Sequence, residues 1–198
     1  MINKLGWKIG GEQGEGLEST AEIFSTVINT LGYHMYSTRD FASRIKGGHS
    51  NSKICISEER INVIDYKTDI LIAFDQATLD SYIPELDENS IIIADAKIKP
   101  EISEEIKGLV AVFPITDLAK EIANPIIKNI ITLGICSALL DIDSKLFYDM
   151  IDSKFASKGE EIVNINIQAF DKGREIMSEF MEENDIKDKY YLKKLNPT

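Results

Sequence analysis

Three short runs of apolar residues recur through the middle of the chain, at Asp69–Phe74, Ser90–Ala94 and Leu109–Phe113. Each is about five residues long and largely free of polar side chains, which is typical of strands buried on both faces of a largely parallel sheet. Segments with helical spacing separate and follow these runs, and they predict an α/β fold: a Rossmann-like, doubly wound, largely parallel sheet with helices on both faces. We predict helices at Ala77–Tyr82, Thr116–Ile122, Ile126–Leu140, Ser144–Phe155 and Gly159–Met181.

The chain opens with a strand, a glycine-rich turn and a helix. Leu5–Ile9 predicts a buried strand, and four glycines follow within residues 10–16. Ser19-Thr20-Ala21-Glu22 has the pattern of a capping box, so we expect the helix to start there and Gly32 to end it. A second strand is predicted at Tyr33–Tyr36.

The glycine-rich turn is the first candidate site, because such a turn exposes backbone N–H groups beside a helix N-terminus, which favours an anion. It follows the pattern G-G-x-x-G-x-G, which matches neither the dinucleotide-binding G-x-G-x-x-G nor the P-loop. Its two acids, Glu12 and Glu15, would oppose a bound phosphate. The alternative is that the glycines only allow a tight turn and close helix–sheet packing.

A polar, basic loop at residues 37–51 is the second candidate site, followed by a strand at Ser52–Ser57. From Arg39 to Lys53 there are four basic residues and one acid, a local charge of +3, whereas the whole chain, with 22 Lys and Arg against 33 Asp and Glu, carries −11. This combination of basic, hydroxyl and glycine residues suits a phosphate or pyrophosphate. The alternative is an exposed loop held by salt bridges to the acidic body.

Other features restrict the class of protein. The net charge of −11 argues against nucleic-acid binding. Cys55 and Cys136 lie in apolar surroundings, which predicts buried thiols in a reducing compartment rather than a disulfide, zinc or iron–sulfur site. His34 and His49 lack partners at ligand spacing, so we expect no metal site, and we find no catalytic pattern. With no signal peptide or membrane span evident, we expect a cytoplasmic protein without membrane contact.

Three further residues, Asp75, Asp95 and Pro114, follow apolar strands at or near their C-terminal ends. Ligands of open α/β sheets gather there, although the same residues also suit turns and helix caps.

Together, the two candidate sites resemble the gamma domain of 2-oxoacid:ferredoxin oxidoreductases. Members of that family show a first turn of the type G-G-x-G-Q-G and a later stretch of the type S-x-x-R/K-G-G-H/x. Here the corresponding segments are Gly-Gly-Glu-Gln-Gly-Glu-Gly and Ser-Arg-Ile-Lys-Gly-Gly-His-Ser, and the resemblance extends over residues 1–185. It is closest to the alpha subunit of 2-oxoglutarate-type enzymes, in which the gamma domain precedes the thiamine-pyrimidine-binding domain. Whether the chain is an excised domain or a separate subunit stays open.

The resemblance implies a function for the whole enzyme, the coenzyme-A-dependent oxidative decarboxylation of a 2-oxoacid to an acyl-CoA, carbon dioxide and reduced ferredoxin. It places thiamine diphosphate and iron–sulfur clusters in partners, namely a thiamine-binding alpha domain and a beta subunit, so the isolated chain should be inactive. A homo-oligomer is also compatible with the family. We expect a gamma-type domain at residues 1–183 and a solvated linker or flexible tail at residues 184–198.

The resemblance also implies that coenzyme A is partly bound by this chain. The implied coenzyme-binding residues come from the two candidate sites and are Gly11, Glu12, Gln13, Gly14, Ser43, Arg44, Lys46, Gly47, Gly48 and His49. Two other functions remain as alternatives: a stand-alone Rossmann-like oxidoreductase that binds a nucleotide or a flavin, and an architectural subunit whose motifs dock a neighbouring protein.

Overall fold

The structure is a computed structural model that describes residues 4–41, 48–62, 66–187, 189–192 and 195. Its strands are β1 (Lys4–Glu12), β2 (His34–Phe41), β3 (His49–Ser57), β4 (Ile70–Ala73), β5 (Ile91–Asp95) and β6 (Leu109–Phe113). Its α-helices are α1 (Leu17–Thr30), α2 (Gln76–Tyr82), α3 (Ile115–Ile122), α4 (Lys128–Leu139), α5 (Ser144–Phe155) and α6 (Glu160–Glu183). Two compact units result: a sheet unit over Asn3–Ala21 and Tyr33–Pro114, and a helical unit that includes Glu22–Gly32 and Ile115–Thr198.

The six strands form one sheet in the order β2-β3-β1-β4-β5-β6. β1, β4, β5 and β6 run parallel to one another, and the β2–β3 hairpin adds to β1 in the antiparallel sense. The parallel strands coincide with the continuous apolar runs, because strands covered on both faces need apolar side chains at every position. The predicted α/β, Rossmann-like class with a largely parallel sheet is confirmed.

The predicted loop at residues 37–51 is wrong at both ends. β2 continues to Phe41 and β3 begins at His49, so the hairpin is longer than the sequence indicated. The polar residues at the start of β3 are placed in the ladder by β1, where Gly10 pairs with Asn51 and Glu12 with His49. Backbone pairing to an apolar central strand therefore overrides the polar composition of this stretch.

The start of α1 also differs from the prediction. The helix begins at Leu17, so Ser19 lies within its first turn and is not the N-cap. Gly16, with φ of +78°, turns the chain into the helix, and the Thr20 hydroxyl donates to the Gly16 carbonyl at 3.1 Å. The predicted stop is confirmed, since α1 ends at Thr30 and Gly32 follows with φ of +92°.

One face of the sheet is apolar at β4 and β5 and polar at β1 and β3, and the polar part lies beside the candidate site. On the β4 and β5 side, Leu71 and Ile92 pack with Leu79 of α2 in an apolar cluster. On the β1 and β3 side the same face carries Lys8 opposite Lys53, because directly opposed residues of an antiparallel pair point to one side. Polar side chains are thus enclosed between α2 and the antiparallel part of the sheet.

The helical unit is organised around α4, all of whose twelve residues are buried. A helix that is enclosed on every side must be apolar all round, as the sequence of α4 largely is. α4 crosses α6 through Gly134 and Gly173, where each glycine faces backbone atoms of the other helix.

Several of the described residues after α6 are packed within the helical unit. Tyr190 and Leu192 are 3% and 5% exposed, and the Leu192 N–H donates to the Leu140 carbonyl at 2.9 Å. Leu195 makes a similar backbone bond to Leu31 at 2.9 Å. The expectation of a solvated segment is therefore wrong for Tyr190 and Leu192, because burial of these apolar side chains outweighs the charge around them. In the part of the chain that the structure describes, no helix is both long and apolar enough to cross a membrane.

Candidate functional site

The two candidate sites of the sequence meet at the carboxyl end of β1. The Gln13 N–H donates to the Gly48 carbonyl at 3.1 Å, and Glu12 is the ladder partner of His49. Gly14 takes a φ of +94°, a conformation that favours glycine. Ser43, Arg44, Lys46 and Gly47 lie outside the described residues. The structure thus joins the predicted turn residues to the described end of the basic stretch, and it does not test their binding of coenzyme A.

The glycine-rich turn uses several of its own N–H groups internally. The Glu15 carboxylate accepts from the Glu12 N–H at 3.0 Å, and the Glu15 N–H donates to the Glu12 carbonyl at 3.3 Å. A Cβ at Gly11 would lie 2.5 Å from the Glu15 carboxylate, so the side chain of Glu15 closely approaches the turn. Glu15 therefore stabilises the turn, and the N–H groups of Glu12, Gln13 and Glu15 already have acceptors within the protein.

The basic stretch contributes less exposed charge than its composition suggests. Lys53 is buried, and its ammonium donates to the Glu85 carboxylate at 3.0 Å and to the Tyr66 carbonyl at 2.6 Å. Arg39 lies on the exposed β2 strand, 3.5 Å from the Glu18 carboxylate. Counting Lys53 toward a ligand-facing charge was wrong, because the strand pleat turns this side chain under α2. Its positive charge is balanced inside the protein.

A chain of hydrogen bonds links β3 to both ends of α2. His49 Nδ1 lies 3.1 Å from Asp75 Oδ2, and His49 Nε2 lies 3.2 Å from the Tyr82 hydroxyl. Asn51 Nδ2 donates to the same hydroxyl at 2.6 Å. The Tyr82 hydroxyl accepts from Asn51 and is within hydrogen-bond distance of His49 Nε2, while Asp75 lies at the other ring nitrogen.

The two ends of α2 are fixed for different reasons. Asp75 is its N-cap and accepts from the Thr78 N–H at 2.8 Å, a role that the sequence allowed for this residue. Tyr82 is its last residue, and the Lys8 ammonium lies over its ring, 3.6 Å from the centroid. Burial, reinforced by Asp40, Glu85 and Asp75, raises the pKa of Tyr82 to about 12. Tyr82 therefore keeps its proton at any physiological pH and remains a hydrogen-bond donor.

Beneath this chain lies a buried group of charges. The Lys8 ammonium contacts the Glu85 carboxylate at 2.6 Å, and the Thr68 hydroxyl donates to the other Glu85 oxygen at 2.6 Å. Burial lowers the pKa of Lys8 more than its hydrogen bond to Glu85 raises it. Burial alone would raise the pKa of Glu85, but hydrogen bonds from Lys8, Thr68 and Lys53 outweigh it and hold that pKa below its usual value. One ionised carboxylate thus serves two buried lysines.

Sequence reasoning had named Asp75, and Asn51 as a hydrogen-bonding residue of the basic stretch, but it missed Tyr82 and Glu85 as neighbours of the site. The alternation of polar residues at Asn51 and Lys53 was a usable signal, because buried polar positions in a strand need partners. Nothing in the sequence indicated that α2 supplies those partners. Both cysteines are buried, as predicted. Over the described ranges, no group of three or more His, Cys, Asp or Glu side chains could hold a metal ion.

Comparison with known proteins decides the family. The profile of the family described as pyruvate ferredoxin/flavodoxin oxidoreductase matches residues 6–176, which include both candidate sites. The chain is a member of that oxidoreductase family. The resemblance inferred from the two glycine motifs is confirmed.

Within this family, the chain is similar to two differently built relatives. It is 30% identical over 145 residues to the 2-oxoglutarate synthase subunit KorC of Methanocaldococcus jannaschii, a match that covers 72% of this chain and 76% of that protein. It is 28% identical over 193 residues to the 2-oxoacid:ferredoxin oxidoreductase subunit alpha of a Sulfolobus species, covering 77% of this chain and 30% of that protein. The chain therefore spans about three-tenths of the length of the alpha-subunit relatives it matches.

A solved structure supports the fold. The 2-oxoglutarate:ferredoxin oxidoreductase from Magnetococcus marinus, solved with 2-oxoglutarate, coenzyme A and succinyl-CoA bound, matches all of this chain with a TM-score of 0.83. The match covers 33% of that chain at 24% sequence identity. At this identity the likeness establishes the oxidoreductase family fold for the chain and nothing about its ligands.

Proposed function

We propose that the chain is the coenzyme-A-side gamma domain or subunit of a 2-oxoacid:ferredoxin oxidoreductase of the 2-oxoglutarate type. The observation that carries this proposal is that the family match extends over both glycine motifs, which converge at the carboxyl end of β1. Ligands of open α/β sheets bind at that edge. We assign the gamma-type domain to residues 1–183 and a linker or tail to residues 184–198.

In this proposal the chain contributes binding and assembly. Arg44 and Lys46 supply the positive charge for the coenzyme's phosphates, and Ser43, Gly47 and Gly48 supply hydrogen-bond groups and room for close approach. The turn at Gly11–Gly14, which already donates to Gly48, shapes the adjoining wall. The last residue of the proposed coenzyme-binding set is His49, the first residue of β3.

The complete reaction converts a 2-oxoacid and coenzyme A into an acyl-CoA, carbon dioxide and a proton, and passes two electrons to ferredoxin. Thiamine diphosphate, in a thiamine-binding alpha domain with a beta subunit, would supply the carbanion chemistry, and iron–sulfur clusters in partners would carry the electrons. The described residues of this chain do not fit an iron–sulfur cluster, since both cysteines are buried and no metal-ligating cluster is present among them. We place the assembled enzyme in the cytoplasm, where free thiols stay reduced.

A charge-reversal experiment tests the binding role. The variant Arg44→Glu with Lys46→Glu should raise the KM for coenzyme A at least about tenfold, because each lost charge-assisted bond is worth about 1.5–3 kcal/mol. The assay is viologen reduction by the complex that co-purifies with the chain, with a 2-oxoacid and coenzyme A as substrates. A matched control reverses two exposed lysines of the helical unit, Lys145→Glu with Lys158→Glu, and should keep wild-type values.

The outcomes separate two functions. A raised coenzyme A KM with normal assembly on size-exclusion chromatography supports the proposal. Loss of assembly with Arg44→Glu and Lys46→Glu supports an architectural role instead, which the internal use of the turn's N–H groups would also favour. Normal assembly together with an unchanged KM contradicts the coenzyme-binding role.

A further inference from the structure

Helix α2 contacts the first residues of β3 through side chains at both of its ends. At its start, Asp75 accepts from the Thr78 N–H with one carboxylate oxygen and contacts His49 Nδ1 with the other. At its end, the Tyr82 hydroxyl contacts His49 Nε2 and accepts from Asn51. Both nitrogens of the His49 ring are therefore engaged by the same helix.

The backbone next to His49 is held by a second element. Gly48 accepts the Gln13 N–H through its carbonyl, so the glycine-rich turn fixes the residue that precedes His49. The ring of His49 also fits closely against β1: a Cβ at Gly10 would lie 3.2 Å from His49 Cε1 and 2.5 Å from the Thr78 hydroxyl. The position of Gly48 and His49 is thus determined from two sides, by the turn and by α2.

The hydroxyl of Tyr82 is itself held in one place. The Lys8 ammonium lies against the face of the ring, and Asn51, which is buried, donates to the hydroxyl at 2.6 Å. Lys8 in turn is paired with Glu85. A rigid aromatic group with two fixed contacts is a precise support for a neighbouring side chain, and such support keeps a binding residue in its productive geometry.

We infer that Asp75 and Tyr82 are positioning residues for coenzyme A binding: they hold His49 as an anchor and thereby place Gly48 beside the glycine-rich turn. The inference rests on the proposed function and assigns His49 a part that its sequence position alone did not indicate. With both ring nitrogens engaged, His49 acts by fixing the backbone of Gly48 beside the glycine-rich turn.

The test removes the hydroxyl of Tyr82 and leaves its ring. In the complex that co-purifies with the full chain, Tyr82→Phe should raise the KM for coenzyme A about three- to tenfold. This is the loss of affinity that corresponds to the loss of one or two hydrogen bonds. The kcat at saturating coenzyme A and the KM for the 2-oxoacid should stay at wild-type values. The matched control is Tyr148→Phe, which removes a tyrosine hydroxyl that donates to Asp171 in the helical unit. It should leave all three parameters unchanged.

A second variant, Asp75→Asn, keeps an N-cap side chain for α2 but replaces one acceptor oxygen with a donor. It should also raise the coenzyme A KM. Because Asp75 and Tyr82 both act through His49, the double variant should raise the KM by less than the product of the two single effects. If Tyr82→Phe lowers the yield of folded complex, Asp75→Asn carries the same test alone.

The possible results separate the inference from the proposed function. A wild-type complex without coenzyme-A-dependent oxidation of a 2-oxoacid refutes the proposed function, and the inference with it. An active wild-type complex in which Tyr82→Phe and Asp75→Asn match the control overturns the inference alone. Equal losses in kcat and both KM values also overturn it, because they indicate general damage to the fold.

Discussion

Alanine at Gly134 should destabilise the helical unit, although alanine is the better helix former. A Cβ at this position would lie 2.9 Å from the Phe170 carbonyl carbon and 3.0 Å from the Arg174 nitrogen, and closer still to the Phe170 carbonyl oxygen. Ordinary contact begins at 3.4 Å, and all these atoms belong to the backbone of α6. The two helices would have to move apart, which exposes or loosens the contacts of a helix that is buried on every side.

The magnitude follows from two opposing effects. Replacing glycine by alanine within a helix gains about 1 kcal/mol of propensity. Overpacking against an immovable neighbour costs about 3 kcal/mol, the upper end of the usual range. We expect a net loss of about 2 kcal/mol, which in a chain of this length lowers the thermal midpoint by about 4–8 °C. Gly173→Ala should behave alike, since its Cβ would lie 2.8 Å from the Ile131 carbonyl carbon.

Thermal unfolding followed by circular dichroism measures this effect. The control Ser178→Ala changes an exposed residue of α6 and should shift the midpoint by less than about 2 °C, since such surface changes stay within about 0.5 kcal/mol. A higher midpoint for Gly134→Ala would mean that propensity prevails and that α4 and α6 do not approach each other as closely as described.

Three further predictions concern buried groups. Glu85→Gln leaves Lys8 and Lys53 without their counterion and should lower the unfolding free energy, measured in urea, by about 3–5 kcal/mol. The control Glu175→Gln, which removes an exposed ion pair with Lys172, should change the unfolding free energy by less than about 1 kcal/mol. Because the folded-state pKa of Glu85 lies below its ordinary 4.5, its stabilisation should be present above that pH and be lost as the pH falls through the folded value; acid titration of unfolding should show less of this loss in Glu85→Gln. Leu192→Ala, at a site 5% exposed, should lower the unfolding free energy by about 2–4 kcal/mol in the same urea assay. An unchanged unfolding free energy would mean that the packing of Leu192 does not stabilise the fold.

The sequence predicted the parallel part of the sheet well, because β4, β5 and β6 are encoded by continuous apolar runs that few other structures accept. α5 and β6 begin and end where expected. The antiparallel hairpin was underestimated, since residues 37–40 and 49–51 are polar and become strand only because β3 pairs with β1 and β2 pairs with β3. Pairing between distant segments leaves little trace in local composition.

In the candidate site, too, local patterns could be predicted from the sequence, whereas contacts between distant segments could not. The turn at Gly11–Gly14 and the stretch ending in Gly48 and His49 were recognisable because glycine and charge patterns are local. The partners of His49 were not, because α2 brings Tyr82 to it from a distant part of the chain. The burial of Lys53 was also beyond a count of charges, since only the pleat and α2 decide which way a strand residue points. For Tyr190 and Leu192, the apolar run Tyr-Tyr-Leu within a charged segment was a signal that could have been used.

Co-purification tests the central claim most directly. The tagged chain would be isolated from its own cells, and the eluate would be assayed for viologen reduction with and without coenzyme A and with several 2-oxoacids. The proposal predicts a thiamine-dependent partner and reduction that requires both substrates, with 2-oxoglutarate preferred. A chain that elutes alone, without this activity, would contradict its assignment as part of such an oxidoreductase.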